Sequence, residues 1–354
     1  MKDDRDLEAL FRNASAYRFL DFEELFADLT PHFSPAELRE ACLMRAQIKL
    51  FAADATLLDD LQKAGRDGPA PRFPCLNGQW LPDSPNRFVV FSRTPDALRD
   101  FVRILPRVGE ALEHWYGETG AVMVRQLHSE ILYFSGDFAG ALRLAEDLSD
   151  GDWVHRADVL LALHVRFRCC LGAGRPEEAE RCMLDMIRVG KAHPACLASY
   201  LAIRDWANLT TGWSGDTPRF CDAPDGDVLP VLDDRLTAIR RGISRLSPRE
   251  ESFAAYAARG YAASYTMRRF YMDIFHAIYW FQAGERGEAE AHFQRACRVS
   301  LDSGLLMPFA EYGGQILPLL RSVAESGTSC SHDWLATVTR LAERYEESLR
   351  AYRA

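Results

Sequence analysis

Nine cysteines and nine histidines are the residues in this chain of 354 best suited to holding a metal or attacking a carbonyl. Their spacing argues against both uses. Cys169 and Cys170 are neighbours, so on a helix their side chains diverge by about 100°. Cys182, His193 and Cys196 fall outside the paired Cys and paired His spacings that bring two ligands onto one zinc ion. The chain has no G-x-S-x-G elbow, no H-E-x-x-H and no G-x-x-x-x-G-K-[ST] loop. The expectation is a protein that is not an enzyme, with no catalytic residue, cofactor or metal.

Binding chemistry is better represented. Tyr265, Met272, Phe275 and Tyr279 fall on one stripe at helical spacing, with Arg268 and Arg269 between them. Phe270, Tyr271, Trp280 and Phe281 add aromatic rings on other faces of the same segment. Tyr and Trp offer broad contact area with a polar tip, and an arginine pair could receive an acidic group. The same spacing also describes a helix face packed into a core, with the arginines at a solvated edge. His114, Trp115 and Tyr116 form a second candidate patch.

These residues need a scaffold, and composition limits what it can be. Hydrophobic residues make up 48% and charged residues 26%, the balance of an ordinary soluble protein. A net charge of −9 with scattered arginines lacks the basic stripe of a nucleic-acid reader, so no direct nucleic-acid contact is expected. No apolar run approaches the roughly 20 residues that span a bilayer, and the polar opening from Met1 to Asp6 has no signal-peptide core. An odd number of scattered cysteines fits a reducing cytoplasm. Beyond roughly 250–300 residues a single core stops growing, so the chain must divide or extend as a stack.

Helical periodicity predicts the stack. Residues 17–29 form an amphipathic helix. Ser34, Pro35 and Glu37 then spell a capping box at the start of a helix running to about Ala53, and a short helix follows over 56–63. Gly- and Pro-rich residues 65–86 divide an irregular N-terminal part, 1–86, from a regular array, 87–354. Thr94-Pro95-Asp96 opens a further helix. Helices are then expected over 106–117, 120–134, 137–148, 152–171, 176–190, 195–211, 230–245, 249–264, 265–282, 286–303, 309–323 and 332–352. Mostly short linkers make consecutive helices antiparallel neighbours.

Three turns read alike. Gly136 is followed five residues later by Ala141, Gly174 by Ala179, and Gly284 by Ala289. Each glycine can end a helix in the left-handed region, and each alanine is small enough for the next helix to cross closely. The first two glycines are 38 residues apart and the last two 110, close to three such steps. That period matches tetratricopeptide-like (TPR-like) repeats. The fold expected is therefore all-α, a TPR-like α-solenoid built as a right-handed superhelix of antiparallel helix pairs.

The stretch from Tyr279 to Leu320 resembles the helical-repeat sensor arm of MalT-type regulators in the bacterial LuxR family. The resemblance rests on Ala296, Ser300 and Asp302, then Met307, Pro308, Phe309, Ala310 and Glu311, then Ile316, Pro318, Leu319 and Leu320. Gly136-Asp137-Phe138 followed by the Ala145-Glu146-Asp147-Leu148 run adds to it. Pro308, Phe309 and Glu311 belong to a packing signature. Leu246–Phe253 is similar to the opening of the family's DNA-binding domain, but Tyr261–Tyr265 stand where its recognition segment would follow. Ser247, Pro248 and Glu250 read as one more capped helix. The family's P-loop ATPase and helix-turn-helix have no counterpart in this sequence.

The resemblance implies a sensor module that binds a small-molecule inducer or a protein or peptide partner and changes its self-association, within transcription regulation. The second expectation is a stand-alone scaffold that holds a peptide in its concave groove.

Overall fold

The computed structural model describes residues 4–15, 19–76, 98–149, 156–193, 196, 200, 266–326 and 330–353. Fourteen α-helices and no strand occur among the described residues. They are α1 (Asp4–Ser15), α2 (Phe19–Leu29), α3 (Pro35–Phe51), α4 (Leu57–Ala64), α5 (Leu98–Tyr116), α6 (Glu118–Phe134), α7 (Phe138–Ser149), α8 (Arg156–Gly172) and α9 (Pro176–Ala192). After the undescribed stretch come α10 (Thr266–Gln282), α11 (Arg286–Ser303), α12 (Met307–Ala310), α13 (Leu317–Ser326) and α14 (His332–Arg353). Helices expected over 230–245 and 249–264, together with Leu246–Phe253, lie outside the described residues, as does the helix expected over 195–211 apart from Cys196 and Tyr200.

Local rules explain several starts and stops. Ser34 caps α3 as expected: Glu37 donates its backbone N–H to the Ser34 hydroxyl, and the Glu37 carboxylate accepts the Ser34 N–H at 2.7 Å. Pro35 occupies the first turn, where its missing N–H costs nothing. α5 departs from expectation by running unbroken through Pro106. Phe101, Leu105, Val108, Leu112 and Trp115 make one continuous buried stripe on both sides of that proline, and the proline itself faces out. Burial of the stripe outweighs the one backbone hydrogen bond that proline removes. The helix expected over 309–323 is instead divided. Gly313 takes a left-handed φ of 51°, and Gly314 donates its N–H to the Glu346 carboxylate of α14 at 2.9 Å.

The three repeated turns share one backbone geometry. Gly136, Gly174 and Gly284 have φ of 83°, 77° and 85°. In each, the glycine N–H donates to the carbonyl three residues back: Tyr133, Leu171 and Phe281. The next residue donates to the carbonyl five back: Asp137 to Leu132, Arg175 to Cys170, Glu285 to Trp280. This pair of bonds is the Schellman closure of a helix. Ala141, Ala179 and Ala289 then lie buried in the first turn or two of the following helix. The sequence repeat thus encodes a structural one: three helix hairpins, α6–α7, α8–α9 and α10–α11, each packed along its length.

α5 through α9 pack in sequence order, with α6 also touching α8. α14 lies against α8 and α9, and α12 touches α6. The Leu306 N–H donates to the Phe134 carbonyl at 2.8 Å, stitching the turn before α12 to the end of α6. Phe309 is buried with its ring edge-on to Phe270, Phe293 and Trp334 at 5.7, 5.7 and 5.1 Å. At the N-terminal end, Gln47 of α3 donates to the Tyr116 hydroxyl at 2.9 Å and accepts the Leu76 N–H at 2.8 Å. One hydrophobic core runs from Leu7 to Leu349.

Among the described residues, no helix is long and apolar enough to cross a membrane.

Candidate functional site

Residues of α4 and α5, with Gly65 and Arg66 between them, line a cleft of about 540 Å³. Its lining combines Leu58, Leu61, Ala111 and Trp115 with Gln62, Arg66, Arg107, Glu110 and His114. Leu61 and Trp115 are buried, so they form the floor. Gln62, Arg66, Arg107, Glu110 and His114 are exposed and form the rim. The volume lies within the roughly 300–1,000 Å³ common for small-molecule sites, which pair an apolar surface with a few orienting polar groups.

The helix spacing makes this arrangement. Arg107, Glu110, Ala111 and His114 are three or four residues apart on α5, so they share one face. Leu58, Leu61 and Gln62 do the same on α4. Gly65 ends α4 with φ of 78°, which turns the chain so that Arg66 meets α5. The His114 Nε2 lies 2.7 Å from the Arg66 carbonyl. A carbonyl can only accept, so Nε2 carries the hydrogen there. Trp115 is 8% exposed, with the His114 ring edge-on at 5.2 Å and the Arg39 guanidinium 5.7 Å from its ring centre.

Of the candidate patch at 114–116, His114 and Trp115 therefore line the cleft, while Tyr116 points into the protein. Burial pushes the Tyr116 hydroxyl well above the ordinary tyrosine range, with Cys75 and Glu40 adding to the effect. It is a fixed hydrogen-bond partner of Gln47. Arg66, Arg107 and Glu110 carry no local signal that sets them apart. Charged residues on a helix face are usually solvated, and nothing nearby in sequence marks these as facing a cleft.

The aromatic stripe at 265–279 has a different setting. Tyr265 lies outside the described residues, and the side chains of Arg268 and Met272 do too. Phe275 is 2% exposed, so its ring serves core packing. Tyr271 and Phe270 are also buried, whereas Tyr279 is half-buried and Arg269 is exposed. Of the stripe's described side chains, Phe275 thus packs inward and Tyr279 is half-buried.

Glu311 has a specific structural part. It is 2% exposed, and its two carboxylate oxygens accept the hydroxyls of Tyr133 at 3.0 Å and Tyr271 at 2.8 Å. Arg168, fully buried, lies with its guanidinium 4.5 Å from the Tyr133 ring centre and 5.3 Å from that of Phe134. Burial opposes its charge, but the nearby Glu311 and Glu130 carboxylates hold its pKa above the ordinary arginine value. Burial and then the Glu311 charge push the Tyr133 hydroxyl far up, so it stays a donor. Four elements meet around this charged cluster: α6, α8, α10 and the turn after α12.

The cysteines and the histidine considered for zinc sit on α8, on α9 and just beyond α9. Cys169 is fully buried and burial pushes its thiol upward. Cys170 and Cys182 contact each other across the α8–α9 hairpin, raising the Cys182 thiol and lowering that of Cys170. His193 ends α9, and its carbonyl accepts the Cys196 N–H at 2.8 Å.

No family model, no curated protein and no solved structure matches this chain.

Proposed function

We propose that this chain is a non-catalytic binding module: a TPR-like, right-handed array of helix pairs that takes its ligand in the cleft between α4 and α5. The observation that carries this reading is the composition of that cleft. An apolar floor of Leu61 and Trp115 suits a flat or hydrocarbon body, while Arg66, Arg107 and His114 suit an acidic or hydrogen-bonding group. Glu110 on the same rim favours a ligand that also carries a donor. The three identical Gly–Ala hairpins support the repeat architecture.

The biological role we infer is that of a sensor arm like those of MalT-type regulators, with ligand uptake shifting self-association in the cytoplasm. Support for this comes from the quoted residues between Tyr279 and Leu320, with Gly136–Phe138 and Ala145–Leu148.

The test is a thermal-shift screen of the full chain against sugars, aromatic carboxylates, nucleotides and short peptides. A ligand that binds only the folded state stabilises it by about 2.7 kcal/mol at a hundredfold excess over its Kd. The expected hit is an amphipathic acid whose shift disappears in R107E and H114A. A hit that survives both substitutions would remove the cleft from the proposal. A response to peptides alone would favour the scaffold role over the inducer-sensing one.

A further inference from the structure

A second constellation lies on the hairpin formed by α10 and α11. Asp273 and His276 are three residues apart and share one face of α10. His292 projects from α11 toward the same place. One ligand atom of each residue falls within 4.8 Å of the others. The His292 Nδ1 is 2.7 Å from an Asp273 carboxylate oxygen, and the two imidazole rings meet edge to face at 4.5 Å. All three residues are half-buried, so their positions are held by the hairpin while the site keeps access to water.

What already sits there is informative. The Arg295 Nη2 lies 2.6 Å from His292 Nδ1 and 3.0 Å from the Asp273 carboxylate. Its Nε is 3.1 Å from the same carboxylate oxygen. One guanidinium nitrogen therefore stands close to both an imidazole nitrogen and a carboxylate oxygen, so a cation already neighbours two of the three groups. Arg295 enters from the solvent side, with its side chain 45% exposed, and its long stem can turn away at small cost.

From this geometry we infer that Asp273, His276 and His292 form a binding site for a divalent transition-metal ion, with Arg295 holding the position of the cation. Two imidazoles and one carboxylate match the donor set of zinc and of its neighbours cobalt and nickel. Bonds of about 2.0–2.2 Å bring tetrahedral ligand atoms to about 3.3 Å from one another, so small side-chain rotations within the cluster suffice. Three protein ligands leave a fourth position for water. The ion would tie α10 to α11 at mid-hairpin, beyond the closure at Gly284. Short sequence motifs do not encode this site: the two histidines are sixteen residues apart, on different helices.

The experiment uses metal-stripped full chain titrated with Zn²⁺ by calorimetry and with Co²⁺ by visible absorption, with circular dichroism confirming that each variant is folded. The expected result is one ion per chain, with affinity falling at least about tenfold in H276A and in H292A. In R295A the competing cation is gone, and affinity should rise by about two- to fivefold, the scale of one exposed ion pair. The R295A measurement stands even if a histidine variant fails to fold, because Arg295 is exposed and packs little. The inference is overturned if Zn²⁺ binds equally well to the folded histidine variants, or if R295A binds none. A thiolate charge-transfer band from bound Co²⁺ would place the ion on cysteine and also overturn it.

Discussion

Removing the Glu311 carboxylate should cost more than any single contact around it, and the costs should not add. Tyr133 and Tyr271 each donate a hydroxyl to this buried carboxylate, at 3.0 and 2.8 Å. A hydrogen bond to a charged group contributes about 1.5–3 kcal/mol, so Y133F and Y271F should each lose about that much. E311A takes away both acceptors and removes a carboxylate counter-charge from the buried Arg168 guanidinium. The expected loss is about 3–5 kcal/mol, the scale for breaking a buried ion pair by removing one partner. The coupling decides the matter. Once Glu311 is gone, the Tyr133 hydroxyl has lost the partner that made it favourable, so Y133F in the E311A background should be close to neutral. The double-mutant cycle should then return a coupling of about 1.5–3 kcal/mol. Urea unfolding followed by far-ultraviolet circular dichroism reads every corner of the cycle. Should E311A prove too unstable, E311Q removes the charge and turns one acceptor oxygen into a donor; its remaining oxygen can still accept a hydroxyl, so a smaller coupling is expected in that cycle. Equal costs for Y133F with and without Glu311 would refute the reasoning, because the hydroxyl's contribution would then come from somewhere other than this carboxylate.

Two further expectations separate conformational strain from collision and buried charge from exposed. At Gly284 an added methyl meets nothing within 4 Å but must adopt φ of 85°; G284A should lose about 1–2 kcal/mol in chemical denaturation, the strain alone. At Gly120 φ is ordinary, but the added methyl would collide with the Leu112 backbone carbonyl. A backbone atom cannot swing aside, so G120A should lose about 3 kcal/mol and exceed G284A. His128 supplies a pH test: burial lowers its pKa below the ordinary histidine value despite nearby Asp137. The unfolded chain therefore takes up the proton first, and stability present above about pH 6.5 is lost as pH falls through that value toward the folded pKa. H128Q should flatten the acid limb of a plot of melting temperature against pH, and an unchanged limb would contradict the assignment.

What could be read from sequence, and what could not, divides by the range over which each signal acts. Ser34–Glu37 and the glycines at 136, 174 and 284 are local devices, each complete within six residues, and the structure reproduces their hydrogen bonds one for one. Pro106 misled because its penalty is local while its compensation, the stripe from Phe101 to Trp115, is spread over four turns of helix. Gly313 and Gly314 were legible in principle: adjacent glycines inside an apolar helical pattern signal a break. Their reason lies thirty-two residues away, at the Glu346 carboxylate. Functional geometry lies further out of reach. The 114–116 segment attracts notice by its aromatic content, yet whether a given ring faces a cleft or the core depends on where α3 and α4 pack. His114 and Trp115 line the cleft because α4 ends at Gly65 and brings Arg66 across. Tyr116, one residue on, faces Gln47. Adjacent residues on a helix point about 100° apart, so three in a row cannot all face one side. The converse holds on α10 and α11, where Asp273, His276 and His292 share no short sequence window and still bring one ligand atom each within 4.8 Å of the others. A helix hairpin collects such groups because it folds one face onto another, which is also why the Gly284 closure, though it touches none of the three, decides whether they meet.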